Sequence, residues 1–138
     1  MKTVRVAAAA GVVVAGLLGM APGVAAAAPI VPFQIDPAIF GNPNGSLDVP
    51  PIHCGIERTA PGVITVTGRP KEYGCLVHSW VRWINVSTGR TGASLTSSGL
   101  NGIPAEARLH TGAGRVALIV DPRPGTMLTP GLATIDVR

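Results

Sequence analysis

The chain has 138 residues, 46% hydrophobic but only 4% aromatic, with a formal net charge of +4 from 11 basic and 7 acidic side chains. Without Lys2 and Arg5, at the amino end, the balance is nine basic against seven acidic, a net +2. The other basic residues, from Arg58 to Arg138, stand singly with little aromatic interleaving, which excludes a phosphate-binding stripe and nucleic acid as the main partner.

The first element in chain order reads as a leader. Lys2 and Arg5 form a basic start, Val6 to Ala28 is uncharged, and Pro22-Gly23 breaks the run before Ala25-Ala26-Ala27-Ala28. That order of charge, apolar segment, breaker and small-residue site predicts a signal peptide over 1–27, cut between Ala27 and Ala28. An uncleaved anchor is the alternative, since Val6 to Ala28 is just long enough to span a bilayer. Its Ala and Gly content gives little transfer energy, so export into the medium or the cell envelope is expected, with no stable membrane anchor after cleavage.

Residues 28–138 then suffice for one domain and not two. In an exported chain the pair Cys54 and Cys75 predicts a disulfide, and the absence of a CxxC spacing argues against a two-cysteine metal site. Residues 28–45 are Pro-rich, with Pro29, Pro32, Pro37 and Pro43 among apolar residues such as Phe33 and Ile35. Proline at this density removes donors and fixes φ. The segment is expected as an extended arm across the domain, or a leash if it finds no groove.

From 46 to 138 short extended runs alternate with turn residues: 47–53, 62–68, 73–86, 91–97, 105–111, 115–121 and 131–137. About seven strands in this space predict an antiparallel all-β sandwich or barrel. Hairpins are expected at Thr88-Gly89 and at Gly112-Ala113-Gly114, where glycine admits positive φ. The long run 73–86 divides by alternation into a core face with Cys75, Val77, Ser79, Val81 and Trp83, and an outer face with Leu76, His78, Trp80, Arg82 and Ile84. An outward Trp80 between His78 and Arg82 is a candidate ligand-binding platform, for a sugar ring, a peptide or an aromatic cofactor, with an envelope glycan or another protein as the expected partner. The competing reading is a Trp80 covered by the arm or a strand edge.

Chemistry-bearing sets are sparse. His53, His78 and His110 have no metal-ligand spacing, no nucleophile elbow is present, and the glycines at 112 and 114 precede no helix, so neither a metal nor a cofactor is expected. Asn85-Val86-Ser87 fits a glycosylation acceptor. The stretch Glu57 to Pro61, near the disulfide, is the candidate inhibitory loop if the protein blocks proteases.

The leader ending Ala25-Ala26-Ala27-Ala28-Pro29, the stretch Val81 to Gly89 and the stretch His110 to Val116 resemble small uncharacterised secreted proteins of high-GC actinobacteria. The resemblance implies an immunoglobulin-like β-sandwich of about seven strands and carries no active site with it. Cys54 and Cys75, only 21 apart, are too close for the cross-sheet bridge of antibody domains. They are expected to tie the first strand to the third, across the strand at 62–68. The functional expectation is a non-enzymatic binding or structural domain, with a secreted protease inhibitor or a small hydrolase as alternatives.

Overall fold

The computed structural model describes residues 28–39, 52–121 and 128–138. The expected signal peptide, the end of the arm at 40–45 and most of the expected strand at 47–53 lie outside the described residues. Among the described residues there are ten strands: β1 (Val31–Pro32), β2 (Ala38–Ile39), β3 (Cys54–Ala60), β4 (Val63–Gly68), β5 (Trp80–Asn85), β6 (Thr91–Leu95), β7 (Ala107–His110), β8 (Gly114–Asp121), β9 (Leu128–Thr129) and β10 (Gly131–Val137). Two short 3-10 turns, Lys71–Tyr73 and Leu100–Gly102, complete the elements.

The strands make two antiparallel four-stranded sheets, β1-β3-β4-β7 and β10-β8-β5-β6, and a small β2-β9 pair. The inner positions of both sheets converge on one core. Ile56, Ile64, Val66 and Leu109 come from the first sheet, and Val81, Val116, Leu118, Val120, Ala133 and Ile135 from the second. Each fully buried Ile, Leu or Val contributes about 1.5–3 kcal/mol relative to exposure, so this sandwich-like layer supplies the main driving force for folding.

The arm is docked along 28–39 and changes sheets as it goes. Val31–Pro32 pairs with β3 at Ile56 and Gly55, and then Ile35 bridges to Leu132 on β10 of the other sheet. Between these contacts Phe33 drops into the core at 6% exposure. Gln34 closes the contact with β10: its side chain donates to the Thr134 carbonyl and accepts the Thr134 N–H. Asp36 accepts from the Cys54 backbone N–H at 2.9 Å and pairs with His53 Nδ1, also at 2.9 Å. Proline suits this path because each arm segment pairs along one edge only.

Cys54 and Cys75 form the expected disulfide, with Cα atoms 5.0 Å apart. Cys54 opens β3, but Cys75 lies in the connection from β4 to β5 rather than on a strand. The bridge therefore pins the sheet-to-sheet crossover to the first sheet, and closing a loop of 21 residues is worth roughly 3 kcal/mol on chain-entropy grounds.

Three expectations are corrected. The run 73–86 is not one strand: a 3-10 turn ends at Tyr73, His78 has φ 46°, and the ladder begins at Trp80. Glu57 to Ala60 is not a loop but the second half of β3, so the candidate inhibitory loop does not exist in that form. The glycine turn after His110 does not close a hairpin, because β7 pairs with β4 while β8 pairs with β5 and β10. It is a crossover between sheets. The turn at Thr88-Gly89 does join a hairpin, β5 to β6.

Asn85, at the end of β5, ties that hairpin to the crossover. Its Oδ1 accepts the N–H groups of Ser87 and Thr88 at 3.1 and 3.2 Å. Its Nδ2 donates to the carbonyls of Thr111 at 3.1 Å and Ala113 at 2.8 Å. Asn85 is fully buried, so the folded domain does not offer it as a glycosylation acceptor.

Candidate functional site

The outer faces of the two sheets differ in kind. On the first sheet, Glu57, Thr65, Thr67 and Arg108 occupy the outward register positions, Lys71 bonds Glu57, and Thr67 donates to Glu106 at 2.6 Å. That face is closed by its own polar pairs. Among the described residues, the second sheet carries large apolar side chains outward with no arm or loop strand paired over them.

The register of β6, β5, β8 and β10 sets out the second face row by row. Leu95 lies beside Trp80 and then Asp121; Ala93 beside Arg82, Ile119 and Leu132; Thr91 beside Ile84, Ala117 and Thr134. Side-chain alternation with a period of two makes all of these outward. Trp80 is 51% exposed, and Ile84, Leu95 and Leu132 are each 40–44% exposed. An open trough of about 450 Å³ runs over Arg82, Ile84, Ala117, Ile119 and Leu132. Neighbouring strands are about 4.8 Å apart, so the four columns give a platform roughly 15 Å across.

One ion pair sits within this apolar field. Arg82 grips Asp121 with both sides of its fork, Nη2 donating to Oδ1 at 2.9 Å and Nε to Oδ2. The hydrogen bond to Asp121, reinforced by its charge, raises the Arg82 guanidinium further above its ordinary value. The fork fixes a normally mobile side chain beside Trp80 and still leaves an Nη group free to donate. A second bidentate pair, Arg115 with Asp136 at 2.6 and 2.7 Å, marks the far end of the sheet. There the Arg115 guanidinium holds the Asp136 carboxyl below the usual carboxylate range.

Of the three residues singled out by sequence, Trp80 and Arg82 share the face and His78 does not. His78 is exposed, but it lies in the turn before the ladder, its N–H donating to the Ser97 carbonyl at 3.4 Å. Trp83 faces the core side, half-buried, with its ring against Gly92. His53 bonds Asp36, and His110 lies exposed on β7. Among the described residues no three His, Cys, Asp or Glu side chains converge to hold a metal ion.

Sequence reasoning missed Asp121, Leu95, Ile119 and Leu132. In β10 the signal was available: Leu132, Thr134 and Asp136 alternate with Ala133, Ile135 and Val137. In β8 it was not, because Val116-Ala117-Leu118-Ile119-Val120 is apolar throughout and hides which set faces out.

Compared with known proteins, the chain matches no family model, no curated protein and no solved structure.

Proposed function

We propose that the protein is an exported, non-enzymatic binding domain that takes an envelope glycan on the outer face of β6-β5-β8-β10. The observation that carries this reading is a half-exposed tryptophan beside an immobilised arginine–aspartate pair on an open sheet. A tryptophan plane stacks against the apolar face of a sugar ring. The Arg82 donors and Asp121 oxygens, held in fixed geometry, suit hydroxyl groups at the ring's edge. Neither group is arranged for proton transfer, since Asp121 is occupied by a permanently charged partner. Export is supported by the leader and by the disulfide, which oxidising compartments maintain.

An immunoglobulin-like classification is supported by strand order. With β3, β4, β5, β6, β7, β8 and β10 read as A, B, C, C′, E, F and G, the sheets are A-B-E and G-F-C-C′. That division of strands between two sheets is the one the immunoglobulin architecture uses. The kinship to secreted actinobacterial proteins rests on the sequence resemblance alone.

A partner protein is the second reading, favoured by the apolar side chains Ile84, Leu95, Ile119 and Leu132 around the pair. The test is sedimentation of the purified domain with insoluble peptidoglycan and with cross-linked arabinan and galactan. The wild-type domain is expected to co-sediment with one of them. Trp80→Ala should weaken retention about tenfold, since base or ring stacking on an aromatic is worth on the order of 1–3 kcal/mol. Retention unaffected by Trp80→Ala, or no retention on any of the three, would overturn the glycan reading.

A further inference from the structure

We infer that β6 is a self-pairing edge, through which two copies of this chain join their second sheets into one eight-stranded antiparallel sheet. In its own sheet β6 pairs only with β5 among the described residues. Asn85 N–H donates to the Arg90 carbonyl and Thr96 N–H to the Ser79 carbonyl, which fixes the ladder's parity. Gly92 and Ser94 therefore turn their backbone groups towards β5. Thr91, Ala93 and Leu95 turn theirs outward, and no backbone partner for them is found among the described residues.

Exposed edges are ordinarily blunted by charge, proline, a bulge or a covering segment. The other edges here follow that rule. Ile35 and Gln34 cover β10, β1 is two residues long and contains Pro32, and β7 exposes Arg108 and His110. The edge β6, Thr91-Gly92-Ala93-Ser94-Leu95, is five residues of regular strand with no charge and no proline. It is unprotected.

The strand's own sequence favours a second copy over an unrelated peptide. A two-fold axis at Ala93 sets Ala93 against its symmetry mate and Thr91 against Leu95, satisfying all six outward backbone groups on each copy. The residues nearest the axis, Gly92 and Ala93, are small and allow close approach. Leu95 and Trp80 of one copy then fall in one outward row with Thr91 and Ile84 of the other. No like charges meet across the axis, because each Arg82 is neutralised by its own Asp121. A contact this short falls below the roughly 1,200 Å² of a standard interface, so the dimer should be concentration-dependent. It leaves the outer face open and stands independently of what that face binds.

Sedimentation equilibrium of the purified mature chain from about 10 μM to about 1 mM reads the monomer–dimer midpoint directly. The wild-type chain should pass to a dimer in that range. Ala93→Pro, which removes the N–H at the axis without touching the β5 ladder, should move the midpoint upward at least tenfold. Ala93→Lys and Ala93→Glu should each weaken self-association, and an equimolar mixture of the two should recover it, since only a symmetric pairing sets position 93 against itself. Trp80→Ala should leave the midpoint in place. A chain that stays monomeric throughout the range, or a charge pair that does not recover association on mixing, overturns the proposal. So does dimerisation abolished by Trp80→Ala, which would point to pairing through the face. The charge mixture keeps the question decidable if Ala93→Pro fails to fold.

Discussion

Asn85→Ala is expected to destabilise the domain by about 3 kcal/mol, a fall in Tm on the order of 15 °C for a domain of this size. The side chain is fully buried and holds four backbone groups on two separate loops. Removing it leaves the Thr111 and Ala113 carbonyls and the Ser87 and Thr88 N–H groups without that partner. Several bonds are lost at once and the two loops are untied, so the loss exceeds that of an average hydrogen bond. Asn85→Asp retains an acceptor for Ser87 and Thr88 but loses both donations and buries a charge, and should be at least as damaging. Gly114 shows how tightly the knot is drawn: a Cβ there would lie 2.7 Å from Asn85 Oδ1. Thermal denaturation followed by circular dichroism checks the prediction, and a fall of less than about 3 °C would contradict it.

Phe33→Ala is the second large effect, expected at about 3 kcal/mol or more because the ring is a core element supplied by the arm. The ring lies against Gly131 at the start of β10, where an added Cβ would approach it at 3.1 Å. Loss of the ring empties that space and loosens the arm that bridges the sheets. Local release should accompany the global cost, as segments with few remaining contacts open first. Hydrogen exchange should therefore quicken at the Ile35 and Leu132 amides, which bond each other's carbonyls at 3.1 and 2.8 Å. Protection unchanged at both amides, with a Tm within about 3 °C of wild type, would show that the ring does not anchor the arm.

Much of the fold was legible because its signals are local. Turn residues at Pro61-Gly62, Thr88-Gly89 and Pro130-Gly131 bracket strands that begin and end within a few residues of the expected places. Among the described residues, six of the seven longer strands overlap expected runs, whereas β3 at Cys54–Ala60 stands where no strand was expected, and the two-residue strands β1, β2 and β9 add to them. What the sequence hid depends on pairing across distance. Cys54 to Ala60 holds Gly55, Glu57 and Arg58, and reads as irregular until β4 and β1 flank it. The run from Tyr73 reads as strand, yet its first residues serve the disulfide and the crossover. Likewise the Gly112 turn has hairpin chemistry, but β8 is claimed by β5 and β10 on the opposite sheet.

The site was half legible for the same reason. Alternation along β5 is a property of one strand, and it assigned Trp80 outward and Trp83 inward. The partners of Trp80 on that face, Asp121 and Leu95, come from strands 41 and 15 residues away in sequence and enter only through register. Alternation sets His78 beside Trp80 only if the strand runs from Tyr73, seven residues ahead of where the ladder begins. The positive φ of His78 belongs to a turn.

The two tryptophans make the central claim directly measurable. Their indole N–H resonances report from opposite sides of the same strand, Trp80 on the open face and Trp83 against the core. Titration of the domain with soluble peptidoglycan fragments and soluble arabinogalactan should shift the Trp80 indole, and the Arg82 side-chain resonance with it, while Trp83 stays in place. Shifts confined to Trp83, to the outer face of β3 and β4, or to no residue of the second sheet would contradict the assignment of that face as the binding site.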